Sequence, residues 1–187
     1  MSITPDPKGI GVSATIENMN KTLDNFLSEN YPRIFEERSL TVYQSCMGRG
    51  FECGNGWFPL IDLLCFNIQT YIDNHNKYCP NDARIPQVVF RQVKQKFGGL
   101  RIYHRGGDEY CNGLIHMANA ISYSFCEICG IGGCLHVGHT SGVIQSVCKE
   151  CSKKTKRTIK MDTEIQKMLS EAIEQDNKCL MEFYDSR

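Results

Sequence analysis

Four cysteines constrain this 187-residue chain more than any other feature: Cys126-Glu-Ile-Cys129 and Cys148-Lys-Glu-Cys151 are two Cys-x2-Cys pairs with 18 residues between them. Each pair predicts a tight knuckle, Gly130 following the first, that turns two thiols toward one point. Two knuckles at this separation predict a tetrahedral zinc ribbon over 125–152. Four thiolates close the coordination sphere and leave no position for water, so the expected zinc ion is structural rather than hydrolytic. Cys134, His136 and His139 lie between the pairs and stand as substitutes for one ligand, a second site, or neighbours that orient the first. Cys46, Cys53, Cys65, Cys79, Cys111 and Cys179 read as ordinary thiols. Eleven cysteines is an odd number, which argues against a disulfide framework and for a reducing cytoplasm.

The rest of the chain predicts an α+β fold, a small helical and β-hairpin core joined to the ribbon and a C-terminal helix. Residues 1–14 are expected to be a flexible arm, 15–124 the core, and 153–187 a basic linker with an acidic helix. Ile16, Met19, Leu23, Phe26 and Leu27 recur at helical spacing and predict a helix over 15–29, ended by Asn30-Tyr31-Pro32. From Trp57 to Ile72 apolar residues cover more than half of a helical circumference, with Pro59 in the first turn, predicting a central buried helix and a polar loop from Asp73 to Asn81. The stretch 87–97 is rich in β-formers, with Val89, Val93 and Phe97 on one face, although a helix competes there. Gly98-Gly99 predicts the two-residue loop of a hairpin returning through Leu100–His104. Asp108 is the expected N-cap of a helix carrying Tyr110, Leu114, Met117, Ala118 and Ile121. No apolar stretch approaches the 18 or more residues of a membrane span, and the N-terminus lacks the form of a secretory signal.

A net charge of zero conceals blocks: residues 1–82 carry −4, 83–107 carry +6 with no acid, 108–148 carry −3, 149–160 carry +5 and 161–187 carry −4. The acid-free block makes Arg91, Lys94, Lys96, Arg101 and Arg105 candidates to meet phosphate, with Tyr103 and His104 available to stack on a base. The leading expectation is therefore a non-enzymatic zinc protein that binds an anionic ligand, nucleic acid or nucleotide. One alternative is an adaptor or inhibitor of a host protein, with the stripe Ile165, Met168, Leu169, Ile173 and Leu180 facing a partner or a second copy. Another is a degenerate His-Asn-His nuclease, opposed by the eight residues between His139 and Cys148, which contain no Asn, Asp or His.

Tyr31-Pro-Arg-Ile-Phe35, Gly50-Phe-Glu-Cys-Gly-Asn-Gly-Trp-Phe-Pro-Leu-Ile-Asp-Leu-Leu-Cys65, Val93-Lys-Gln-Lys-Phe-Gly-Gly-Leu-Arg-Ile-Tyr103, Gly106-Gly-Asp108 and the two knuckles occur in that order. This order resembles a family of small, uncharacterised phage and prophage proteins, over about residues 30–152. The resemblance implies a phage origin, a host-cytoplasmic setting, a zinc knuckle and accessory roles such as countering host defence. It implies no catalytic residue.

Overall fold

The computed structural model describes residues 18–132, 136–140 and 143–154. Within them the fold is α+β, with helices α1 (Lys21–Asn30), α2 (Phe58–Tyr78), α3 (Glu109–Ser122) and α4 (Lys149–Lys154), and antiparallel hairpins β1–β2 (Val89–Lys96, Gly99–Arg105) and β3–β4 (His136–Thr140, Val143–Val147). No helix among the described residues is long and apolar enough to cross a membrane. The arm at 1–14 and the acidic helix expected after Asp162 lie outside the described residues.

α1 begins later than its apolar periodicity suggests, because Asn20 caps it: the side-chain Oδ1 accepts from the Leu23 N–H at 2.9 Å. Its C-terminus falls at Tyr31, before Pro32, as the sequence predicts. α2 runs past Ile72 to Tyr78 where a polar loop was expected. Tertiary contacts hold that extra turn and a half: Asp73 pairs with Arg33 at 2.6 Å, and the Asn76 side chain bonds both the N–H and the carbonyl of Ile85 at 2.8 and 2.9 Å. Only one face of α2 is buried, through Ile61, Leu64, Cys65, Ile68 and Ile72, while Leu63 and Phe66 point to solvent. That face joins Leu27, Ile34, Trp57, Phe90, Leu100 and Ile115 in one core, in which Phe35 meets Phe51 and Phe90 edge-on at 5.1 and 5.5 Å.

The β1–β2 hairpin forms where expected, but its turn is displaced by one residue. Lys96 pairs with Gly99, so the two loop residues are Phe97 and Gly98, both with positive φ (52° and 81°). Two left-handed residues give the turn whose twist matches the strands. Gly99 is instead the first residue of β2, with the Tyr123 ring pressed against its Cα face. Phe97 leaves the face of Val93 and is exposed. A bulge between Phe90 and Gln92 also reverses the alternation, so that Phe90, not Val89, shares the inner face with Val93 and Ile102. The other edge of β1 is covered by the segment at Glu52, whose N–H donates to the Val93 carbonyl and whose carbonyl accepts from Gln95, both at 2.9 Å.

The displaced turn has a direct test. A bulky L-residue in the left-handed region costs about 1–2 kcal/mol, whereas Asn at the first turn position is favoured. Phe97→Asn should therefore raise stability by about 1 kcal/mol in urea unfolding followed by Trp57 fluorescence. A loss of stability would put the loop back at Gly98-Gly99.

Candidate metal centre and basic hairpin

The two Cys-x2-Cys pairs meet. The Sγ atoms of Cys126, Cys129, Cys148 and Cys151 all lie within 4.8 Å of one another, and Cys129 and Cys148 are 3.7 Å apart. Four sulfurs placed about 2.3 Å from a tetrahedral ion would be separated by about 3.8 Å, so the cluster is already spaced to hold a metal ion. Local chain geometry explains the convergence. In the first knuckle the Gly130 N–H closes on the Cys126 carbonyl at 2.8 Å, and in the second the Cys151 N–H points at the Cys148 sulfur at 3.4 Å. Cys126, Cys148 and Cys151 are buried, with Cys129 the most open. Burial pushes the Cys129 thiol up to about 11, and Cys151 higher still. Burial also opposes ionisation of Cys148, but hydrogen bonds from Cys151, Cys129 and Cys126 outweigh it and hold that thiol below its usual range. A soft ion binds thiolate, so its uptake here would displace protons from Cys129 and Cys151.

The cluster is fixed to the core by groups between and beside its ligands. Glu127, buried between Cys126 and Cys129, accepts from the Gly54 N–H through Oε1 at 3.1 Å, and its own carbonyl accepts from the Gly56 N–H at 2.7 Å. The indole N–H of buried Trp57 donates to the Phe125 carbonyl at 3.2 Å. Asn55, in the same segment, accepts the Asn20 N–H at 2.8 Å and so links the knuckle to the cap of α1. Residues 54–57 thus touch the first knuckle with no room to spare: a Cβ on Gly56 would stand 2.1 Å from the Cys126 carbonyl oxygen. On the other side the Glu127 N–H donates to the Ser146 carbonyl at 2.8 Å, and the Ser146 hydroxyl donates to the Gly98 carbonyl at 2.6 Å. Sequence reasoning missed Glu127, Gly56 and Ser146 as supports. The run Gly54-Asn-Gly-Trp57 was the visible signal, and it reads as a turn before a helix until its partner is known.

Between the knuckles, β3 and β4 pair His136 with Val147 and His139 with Ile144. A strand therefore fills the interval that a His-Asn-His nuclease would need for a helix. Cys134 lies outside the described residues, as does Cys179. Of the other cysteines, burial pushes Cys53 and Cys65 well above the usual thiol range and Cys111 up to about 11, leaving them inert, while Cys46 is exposed.

The hairpin distributes the candidate anion ligands unequally. Register places Gln92 opposite Tyr103 and Lys94 opposite Arg101, so Lys94, Lys96, Arg101, Tyr103 and Arg105 share the outer face. Lys94 Nζ lies 5.3 Å over the Tyr103 ring, and Lys96 lies 5.3 Å over Phe97. Arg101 reaches back to the Tyr123 hydroxyl at 3.3 Å. Arg105 is committed to acids, contacting Glu36 and, at 3.3 Å, Glu37, while Arg91 at the bulge lies 3.6 Å from Glu37. His104 takes the inner face, where burial lowers its pKa and keeps the ring neutral. No family model, curated protein or solved structure matches the chain.

Two glycines separate a general effect of mutation from loss of the clamp. Gly56→Ala should cost about 2–4 kcal/mol in thermal unfolding and loosen metal retention, since its new methyl overlaps backbone. Gly113→Ala, on an open face of α3 with nothing within 4 Å, should be neutral or gain about 0.5–1 kcal/mol. Equal behaviour of the two would contradict the contact between residues 54–57 and the knuckle.

Proposed function

We propose that this chain is a non-catalytic zinc-binding protein that binds an anionic ligand, nucleic acid or nucleotide, on the outer face of its β1–β2 hairpin. Zinc is the ion that suits four converging thiols: it has no redox chemistry, accepts tetrahedral geometry and bonds thiolate strongly. With all four positions taken by sulfur, its role is to hold the β3–β4 hairpin and α4 against the core. The anion reading rests on one observation, that Lys94 and Lys96 project from the same strand face as Tyr103 and make no ion pair with an acid among the described residues. The resemblance to phage proteins supports an accessory role, in which the ligand is a nucleic acid or a nucleotide signal of the host.

The tests are independent. Elemental analysis of the purified protein should give one zinc per chain, and Cys129→Ser should lose it together with native melting of the ribbon. Retention of a full equivalent by the variant would sink the assignment. Lys94→Glu with Lys96→Glu should weaken binding of a labelled oligonucleotide at least tenfold and reduce the slope of log affinity against log salt by about 2. Unchanged affinity would move the site elsewhere.

A protein adaptor is the second reading, favoured by exposed Leu63 and Phe66 on α2 and Tyr110, Met117 and Ile121 on α3. A concentration-dependent dimer in sedimentation equilibrium, lost in Phe66→Asp, would support it in the form of a second copy as partner. A monomer at all concentrations would remove that form.

A further inference from the structure

The segment between Arg38 and Arg49 is a closed, internally bonded loop. The Thr41 N–H and hydroxyl both donate to Gln44 Oε1, at 3.1 and 2.8 Å, and the N–H groups of Gln44 and Ser45 donate to the Thr41 carbonyl at 2.9 and 3.1 Å. The Ser45 hydroxyl accepts from the Met47 N–H at 3.2 Å, and Arg38 donates to the Gly48 carbonyl at 3.3 Å. The two ends of the loop cross so closely that a Cβ on Gly48 would lie 2.4 Å from the Leu40 carbonyl oxygen. At its crest this fixed loop leaves Tyr43 97% exposed, beside half-exposed Val42. No ring contact or hydrogen bond engages the Tyr43 side chain among the described residues. An aromatic ring presented on a rigid support loses little entropy on meeting a ligand.

The loop adjoins the basic hairpin. The Ser45 hydroxyl also donates to the Arg91 carbonyl at 3.4 Å, at the bulge that turns Arg91 outward. Residues 51–53 then run beside β1, with Glu52 bridged to Lys94 and Arg49 3.8 Å from the Glu52 carboxylate. Loop and hairpin together thus carry two exposed rings, Tyr43 and Tyr103, and three cations, of which Arg49 and Arg91 face Glu52 and Glu37 while Lys94 lies over Tyr103 without an ion pair among the described residues.

Resting on the anion-binding reading above, we infer that the hairpin's ligand is single-stranded nucleic acid, with Tyr43 and Tyr103 as platforms on which bases stack while the cations follow the phosphates. A duplex hides its base faces and has no use for bare rings. A mononucleotide calls for an enclosing pocket, whereas these groups spread over an open surface. Rings among cations on an open face suit an unpaired strand of any sequence.

The test is fluorescence anisotropy with a labelled oligothymidylate of about fifteen nucleotides and a duplex of equal length, spanning a run of stacked bases. Tyr43→Ala should weaken single-strand binding about tenfold with the salt slope unchanged, and Tyr43→Phe should restore it, since stacking uses the ring and no charge. Melting of Tyr43→Ala should match the wild type, because the side chain is exposed. Wild-type affinity in Tyr43→Ala, or a duplex bound as tightly as the single strand, would overturn the inference, leaving the anion-binding reading intact if Lys94→Glu with Lys96→Glu still weakens binding. Failure of the wild type to bind either probe would remove the nucleic-acid ligand from both.

Discussion

The contact between the Gly54–Trp57 segment and the Phe125–Glu127 backbone is the constraint on which the rest of the structure depends. It satisfies backbone groups on both sides, buries Trp57, sets the start of α2 and seats the first cysteine knuckle against the core. Asn55 extends the same junction to the cap of α1. A buried carboxylate is costly unless hydrogen-bonded, and the Glu127 carboxylate takes the Gly54 N–H through Oε1 while its backbone carbonyl takes the Gly56 N–H. The cysteine cluster is thus one end of a bonded chain that runs through Glu127 and Ser146 to the tip of the β1–β2 hairpin.

Electrostatics divide the hairpin's cations into two groups. Arg91 and Arg105 meet Glu36 and Glu37, and hydrogen bonding by Ser45, with Arg105 and Arg91 beside it, holds the Glu37 carboxyl below its usual range. These arginines fasten the hairpin to the acidic turn at 36–39. Lys94 and Lys96 lie over rings instead and make no ion pair with an acid among the described residues. The exposed Arg105–Glu36 pair is worth about 0–1 kcal/mol and is adjustable, whereas Glu37, largely buried, holds its arginines from the core side.

Much of this was legible in the sequence where signals are local. The Cys-x2-Cys spacing located all four members of the cluster, and the Asp108 cap and the β1–β2 hairpin followed from turn chemistry. Errors arose where distant residues decide. A one-residue shift put the turn at Phe97-Gly98 because Tyr123 claims the space over Gly99. α2 outran its apolar stripe because Arg33 and the Ile85 backbone satisfy its polar last turns. The acid-free block concealed that Arg91 and Arg105 meet acids from residues 36–37. The partners of Gly54 and Gly56 lie some seventy residues downstream, beyond the reach of any periodicity.

A separation of 73 residues between Gly54 and Glu127 also orders the assembly of the chain. Closing so long a loop is slow unless intermediate elements shorten it, and α2, the β1–β2 hairpin and α3 all lie inside it. Packing those elements first would shorten the loop that seats the first knuckle, and the second pair of cysteines follows still later in the chain. An ion held by the four thiols would then be taken up late, as a latch on a packed core rather than as the nucleus around which the core collects.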